Sequence, residues 1–99
     1  MLNILMLFLI SYKFYNATAQ EKGADMLIDW YEKGGPENRP EGYLVKSWIF
    51  MPQNGSGYSV VRTDSLETIW RQWRPWREFM DINIQPCADL EETITLFRK

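Results

Sequence analysis

Few side chains in this sequence could do chemistry, and the missing types narrow the field before any spacing is considered. In 99 residues there is no histidine and a single cysteine, Cys87. Without imidazole the chain lacks the usual neutral-pH general base, a histidine-based nucleophilic triad and the commonest haem or zinc ligand. A lone cysteine excludes an intrachain disulfide and a cysteine-rich zinc site, and fits a reducing, cytoplasmic setting. No Lys, Arg or His lies beside Cys87 in sequence to lower its pKa, so it reads as a small buried apolar group. The carboxylates show no paired spacing suited to acid/base work or a metal site. The residue types therefore assign no catalytic residue, no metal and no cofactor.

Binding chemistry is better represented. Three of the five tryptophans stand in Ile69-Trp70-Arg71-Gln72-Trp73-Arg74-Pro75-Trp76-Arg77, where Trp-Arg repeats every third residue. Aromatic faces stack on bases and arginines meet phosphates, so a nucleic-acid or membrane surface is one reading. The other is a core-facing stripe of Leu66, Ile69, Trp70, Trp73, Trp76 and Met80, since the three tryptophans span an arc of about 120° on a helix. Glu67 and Glu78 dilute the arginines, and the chain carries a net charge of −2. That balance favours the core stripe, with neither nucleic acid nor membrane as partner.

The elements that must position these groups follow from periodicity. Leu5 to Phe14 reads as a strand apolar on both faces, which needs cover on both. Thr18 to Glu21 fits a capping box opening a helix, with Ala24, Leu27, Ile28 and Tyr31 as its buried stripe. Lys33-Gly34-Gly35-Pro36 stops that helix, and Gly35 to Gly42 is an irregular loop. Tyr43 to Met51 is a second two-faced strand. Pro52 to Gly57 is a turn cluster containing the hairpin signal Asn54-Gly55, and Tyr58 to Thr63 returns as the third strand. Asp64 caps a second helix, which Pro75 must kink or restart near Arg74. In the fourth strand, Asp81 to Gln85, Ile82 and Ile84 face inward while Asp81, Asn83 and Gln85 face away. Asp89 to Glu92 starts like a capped helix, although Thr93 to Phe97 fits a strand equally well; we expect a short helix.

The hydrophobic fraction of 45% and the chain length fit one folded domain over residues 1–99, with a core from about 5 to 86 and a tail from 87 to 99. The order β-α-β-β-α-β is the ferredoxin-like α+β pattern, a four-stranded antiparallel sheet with two helices on one face. Its other face is left bare, and a second copy of the sheet is the simplest cover, giving a homodimer. Asn83 and Gln85 point to that face. With Tyr12, Trp48 and Arg62 they make the candidate set for a small apolar ligand between sheet faces; Ser11, Lys13 and Ser47 could join, depending on register. The competing reading is that these polar groups satisfy one another across the dimer seam.

Leu2 to Ile10 is almost wholly apolar, and Ala17-Thr18-Ala19 has the small residues of a cleavage site. No charge precedes Lys13, however, so a signal peptide is not expected, and the run is too short to span a bilayer. The triplet Asn16-Ala17-Thr18 then has no glycosylation meaning. Either Met1 or Met6 can serve as the start, with Met1 to Leu5 an extension in the second case.

Met6 to Ile10, Pro40-Glu41-Gly42 leading to Ser47-Trp48, and Trp76 through Ile82, Ile84 and Pro86 resemble a small bacterial family, domain-of-unknown-function family 3303, from Met6 to about Ala88. That family is similar to the dimeric α/β-barrel superfamily, whose ferredoxin-like domains pair sheet to sheet. The resemblance implies the same fold and pairing here but carries over no catalytic residue. The chain departs from the family pattern at Tyr12, where an acidic residue is common, and in its proline-broken second helix. Two functions follow as expectations: a dimeric ligand-binding or interaction module, or a cofactor-free monooxygenase or isomerase. The enzyme would hold a hydrophobic substrate and depend on Arg62, Trp48 or Asn83.

Overall fold

β1 runs Met6–Phe14 and sits inside a four-stranded sheet with β2 (Tyr43–Met51), β3 (Ser56–Thr63) and β4 (Met80–Cys87), in the order β2-β3-β1-β4 with every neighbouring pair antiparallel. This computed structural model describes residues 5–98, so the extension proposed for Met1 to Leu5 falls, apart from Leu5, outside the described residues. The chain continues through α1 (Ala17–Glu32), β2 (Tyr43–Met51), β3 (Ser56–Thr63), α2 (Leu66–Trp73), β4 (Met80–Cys87) and α3 (Leu90–Phe97). Single 3-10 segments at Pro36–Asn38 and Arg74–Glu78 interrupt the connections. The fold is the expected ferredoxin-like α+β arrangement, and the tail is a helix with a full capping box between Asp89 and Glu92.

Pairing partners point to the same side of a sheet. Ile10 lies opposite Ser59 and Ile84, and Tyr12 opposite Gly57 and Ile82, so these residues share one face. On that face Phe8, Ile10, Tyr43 and Val61 close around Ile69 of α2, with Val45, Trp73, Ile82 and Ile84 packed against them. Leu7, Leu9, Val60 and Arg62 occupy the reverse face with Gln85 and Cys87.

Several local details differ from the sequence reading. α1 is capped by Asn16, whose side chain accepts from the Ala19 N–H at 2.8 Å, and not by Thr18. Ser65 caps α2, accepting from the Thr68 N–H, while Asp64 accepts from the Thr68 hydroxyl at 3.0 Å. In both cases the chain turns helical where an extended residue offers its side chain to a free N–H, and that geometry selects among neighbouring capping candidates. α2 stops at Trp73 and its 3-10 continuation starts at Arg74, as Pro75 demands; Met80 opens β4 instead of closing a helical stripe, and Leu66 is exposed. Pro86 and Cys87 remain within β4, because it is an edge strand and a proline there need not donate on its free side. β3 begins at Ser56, so Gly57 is a strand residue and not part of the turn. The expected buried stripe of α1 is mostly open: Ile28 is 54% and Tyr31 68% exposed.

A bulge decides what β2 shows to the helices. Val45 pairs with Val61, but the next partnership is Ser47 with Val60, so Lys46 is the extra residue. Strict alternation from Tyr43 and Val45 would send Trp48 and Phe50 to the reverse face. With the extra residue, Trp48 lies opposite Ser59 and Phe50 opposite Gly57, on the helix side.

Candidate functional site

The missing side chain of Gly57 is the starting point. A Cβ there would overlap both the Tyr12 hydroxyl and the Ile49 carbonyl oxygen. Only glycine lets the Tyr12 ring lie across β3, where its hydroxyl donates to the Ile49 carbonyl of β2 at 3.0 Å. The ring is thereby fixed nearly parallel to Trp48 (centroids 6.1 Å apart, planes 13° apart) and to Phe50 (6.5 Å, 6°). Trp73 of α2 leans on it at 5.4 Å. Burial pushes the Tyr12 hydroxyl up to about 12, so it stays protonated at neutral pH.

α1 forms the opposite wall. At Gly23, its one buried residue, the helix meets the Phe14 ring, and the Gly23 carbonyl accepts from the Trp76 indole N–H at 3.3 Å. Beyond that contact the helix does not close on the sheet. A cleft of about 540 Å³ remains, with Tyr12, Trp48, Phe50 and Trp73 on one side and Ala24, Leu27 and Trp30 on the other. Trp30 sits edge-to-face with Trp76 and against Gly35, where a side chain would overlap the indole.

Polar groups gather at the Tyr43 end. The Trp73 indole N–H donates to the Tyr43 hydroxyl at 3.0 Å. Arg39 lines the cleft with its guanidinium over the Trp30 ring, 5.5 Å from the centroid. Burial raises the Tyr43 pKa, while the Trp73 hydrogen bond and the Arg39 charge act the other way. Ser59, fully buried beside them, spends its proton on the Ser47 carbonyl at the bulge.

Of the residues singled out from sequence, the structure brings Tyr12 and Trp48 together and leaves the other three on the reverse face. Asn83 and Gln85 are exposed there. Arg62 is engaged elsewhere: it pairs with Asp89 and Glu92 at 3.0 Å each and donates to the Leu5 carbonyl, tying α3 to the sheet. That contact, chiefly the hydrogen bond from Arg62, holds the Glu92 carboxyl below its ordinary pKa. Ser11, Tyr58, Asp81 and Asn83 border a separate, shallower hollow. Cys87 is exposed, not buried, because β4 carries it to the sheet edge. Its pKa is raised, first by partial burial and then by Glu92, so the thiol gains no nucleophilic character.

Sequence reasoning missed Tyr43, Phe50, Trp30, Arg39 and Gly57 as parts of one site. The signal for Gly57 was its place after a turn, where a glycine inside a strand marks close approach of another group. Trp73 and Trp76 read as a core stripe in preference to a nucleic-acid or membrane face, and their indoles do turn inward.

A family model described as "Domain of unknown function (DUF3303)" matches residues 6–99. Comparison with curated proteins and with solved structures returned no match. Among the described residues no helix is long and apolar enough to cross a membrane.

Proposed function

The chain belongs to the DUF3303 family, whose description assigns no activity, and from its geometry we propose that it is a binding module for a small, flat, mainly apolar molecule. The carrying observation is the aromatic cleft between α1 and the sheet. Its volume of about 540 Å³ falls in the range of small-molecule sites, roughly 300–1,000 Å³. The near-parallel planes of Tyr12, Trp48 and Phe50 favour a ligand that can stack.

Binding is preferred over catalysis because nothing in the cleft is poised to accept a proton. Both Tyr12 and Tyr43 have raised pKa values, and the lining contains one carboxylate, the exposed Glu32. A cofactor-free oxygenase or isomerase needs a base for its substrate. Titrating the protein with flat aromatic probes should quench tryptophan emission saturably. Ala24→Phe, which fills the cleft, should abolish the quenching with the far-UV circular dichroism unchanged. Quenching that persists in the filled variant would locate binding elsewhere and end this reading.

A second reading concerns assembly: we infer that the part of the reverse sheet face that α3 leaves open is covered by a second copy. Leu44, Ile49 and Tyr58 stand 50%, 53% and 44% exposed on it. The chain exposes 7495 Å² at 11.8 kDa, against roughly 5,900 Å² for a compact monomer of that mass. The open cleft and the exposed residues of α1 and α3 share that excess with the reverse sheet face. A ligand between sheet faces would require this dimer; the cleft within the chain does not. Light scattering at micromolar concentration should give twice the chain mass, and a monomer throughout would remove the reading.

A further inference from the structure

We propose that the molecule held in the cleft carries an anionic oxygen on its flat apolar body, received by Arg39 and the Tyr43 hydroxyl. The inference rests on the binding reading above and adds the ligand's charge and its orientation. Tyr43 is only 6% exposed, and its oxygen already accepts from the Trp73 indole N–H. What it still offers is its own proton, which has no acceptor among the described residues. The Trp73 hydrogen bond polarises the phenol and strengthens that donor. Arg39 lines the same cleft as Tyr43, and its charge is felt at the Tyr43 hydroxyl. No carboxylate pairs with Arg39 among the described residues; it rests over the Trp30 ring.

These two groups make one kind of corner. A donor hydroxyl and an unpaired guanidinium both call for an acceptor, and the second calls for negative charge. A neutral apolar ligand would cover Arg39 and remove water from it without compensation, which is costly. A carboxylate would satisfy both groups at once while its ring system lies along Tyr12, Trp48 and Phe50. Glu32, the carboxylate in the lining, belongs to the exposed last turn of α1, where water screens it.

The test compares three probes of one shape: 2-naphthoate, 2-naphthamide and 2-naphthylmethylammonium, titrated at neutral pH by tryptophan fluorescence and calorimetry. Naphthoate should bind about tenfold more tightly than the amide, the scale of one charge-assisted contact, and the ammonium most weakly. Arg39→Gln should bring naphthoate to the level of the amide, and Arg39→Lys should restore part of the difference. Equal affinity of naphthoate and amide, with both lost in Ala24→Phe, would overturn the anionic ligand and leave the cleft intact. Equal weakening of all three probes by Arg39→Gln would also overturn it, since the residue would then be shaping the wall and not reading charge. Saturable binding of none of the three would end the cleft reading and this inference with it.

Discussion

The two helices that share one sheet face fill it differently. Beneath α2 the interlayer is solid: Ile69 has no exposed surface and meets Ile10 and Val61, which have none either. Beneath α1 it is hollow. Gly23 alone is buried, and the apolar residues beyond it line the cleft or stand in solvent. Both helices carry an apolar stripe, so the stripe does not account for the difference. What faces each stripe does. Branched aliphatic side chains interdigitate, whereas rings held flat by the Gly57 passage and the bulge at Lys46 present plates that α1 cannot interleave. In this chain packing is complete over the aliphatic side chains, and a space is left over the parallel rings.

Truncation on the two sides should break the symmetry most clearly. Ile69→Ala is expected to cost about 2–5 kcal/mol in urea denaturation, the cost of a cavity opened in a filled core. Leu27→Ala should cost ~1 kcal/mol or less, because the space beside it is already open and no new cavity term arises. Equal costs would mean that α1 closes on the sheet in solution and that the contrast is false.

Alkali sharpens the comparison from the tyrosine side. An unfolded tyrosine ionises near pH ~10, while burial holds the Tyr12 hydroxyl up to about 12. The folded chain therefore keeps a proton that the unfolded chain releases. The stability this gives is complete below pH ~10 and falls by roughly 2–3 kcal/mol as pH rises through the folded value. Urea midpoints followed into alkali should show that fall, and Tyr12→Phe should lessen it, the raised Tyr43 keeping a share of its own. At neutral pH the same variant should lose only ~1 kcal/mol, for the bond to the Ile49 carbonyl. An unchanged alkaline slope in Tyr12→Phe would mean the ring is not buried as described.

The smallest effect is expected on the reverse face, where Arg62 ties α3 to the sheet. Leu90, Leu96 and Phe97 are 76%, 69% and 78% exposed. Because the Arg62 contact depresses the Glu92 pKa, the docking is present above the ordinary carboxylate range and is lost as pH falls through the lowered folded value. Amide protection in Leu90 to Phe97, taken relative to intrinsic exchange at each pH, should fall in acid and, at neutral pH, in Arg62→Gln, with global unfolding barely moved. Protection that survives in Arg62→Gln would show that some other contact holds the helix.

Much of the fold was legible because it is written in short-range periods. The apolar runs of β1 and β2, the alternation of β4, the glycine and proline after α1, the break at Pro75 and the Asp89 capping box each act over a few residues, so local pattern reports them. The site was less legible. Tyr12 and Trp48 drew notice as individual residues, yet they share a face only because of one extra residue at Lys46 of β2, which turns Trp48 to the side of Tyr12 and leaves no mark in the alternation. Arg62 read as a ligand contact or as a polar group satisfied across a dimer seam, until α3 brought Asp89 and Glu92 beside it.

The sequence by itself determined the order of elements, the sheet they form, the near absence of catalytic groups and an excess of aromatic surface. Only the tertiary structure decided where that surface lies and that it stays partly unfilled. The reason is physical. Hydrophobic period and capping are properties of neighbours in the chain, whereas a cleft is a failure of distant surfaces to interlock, set here by Gly57, the bulge and the close approach of Gly23 to Phe14.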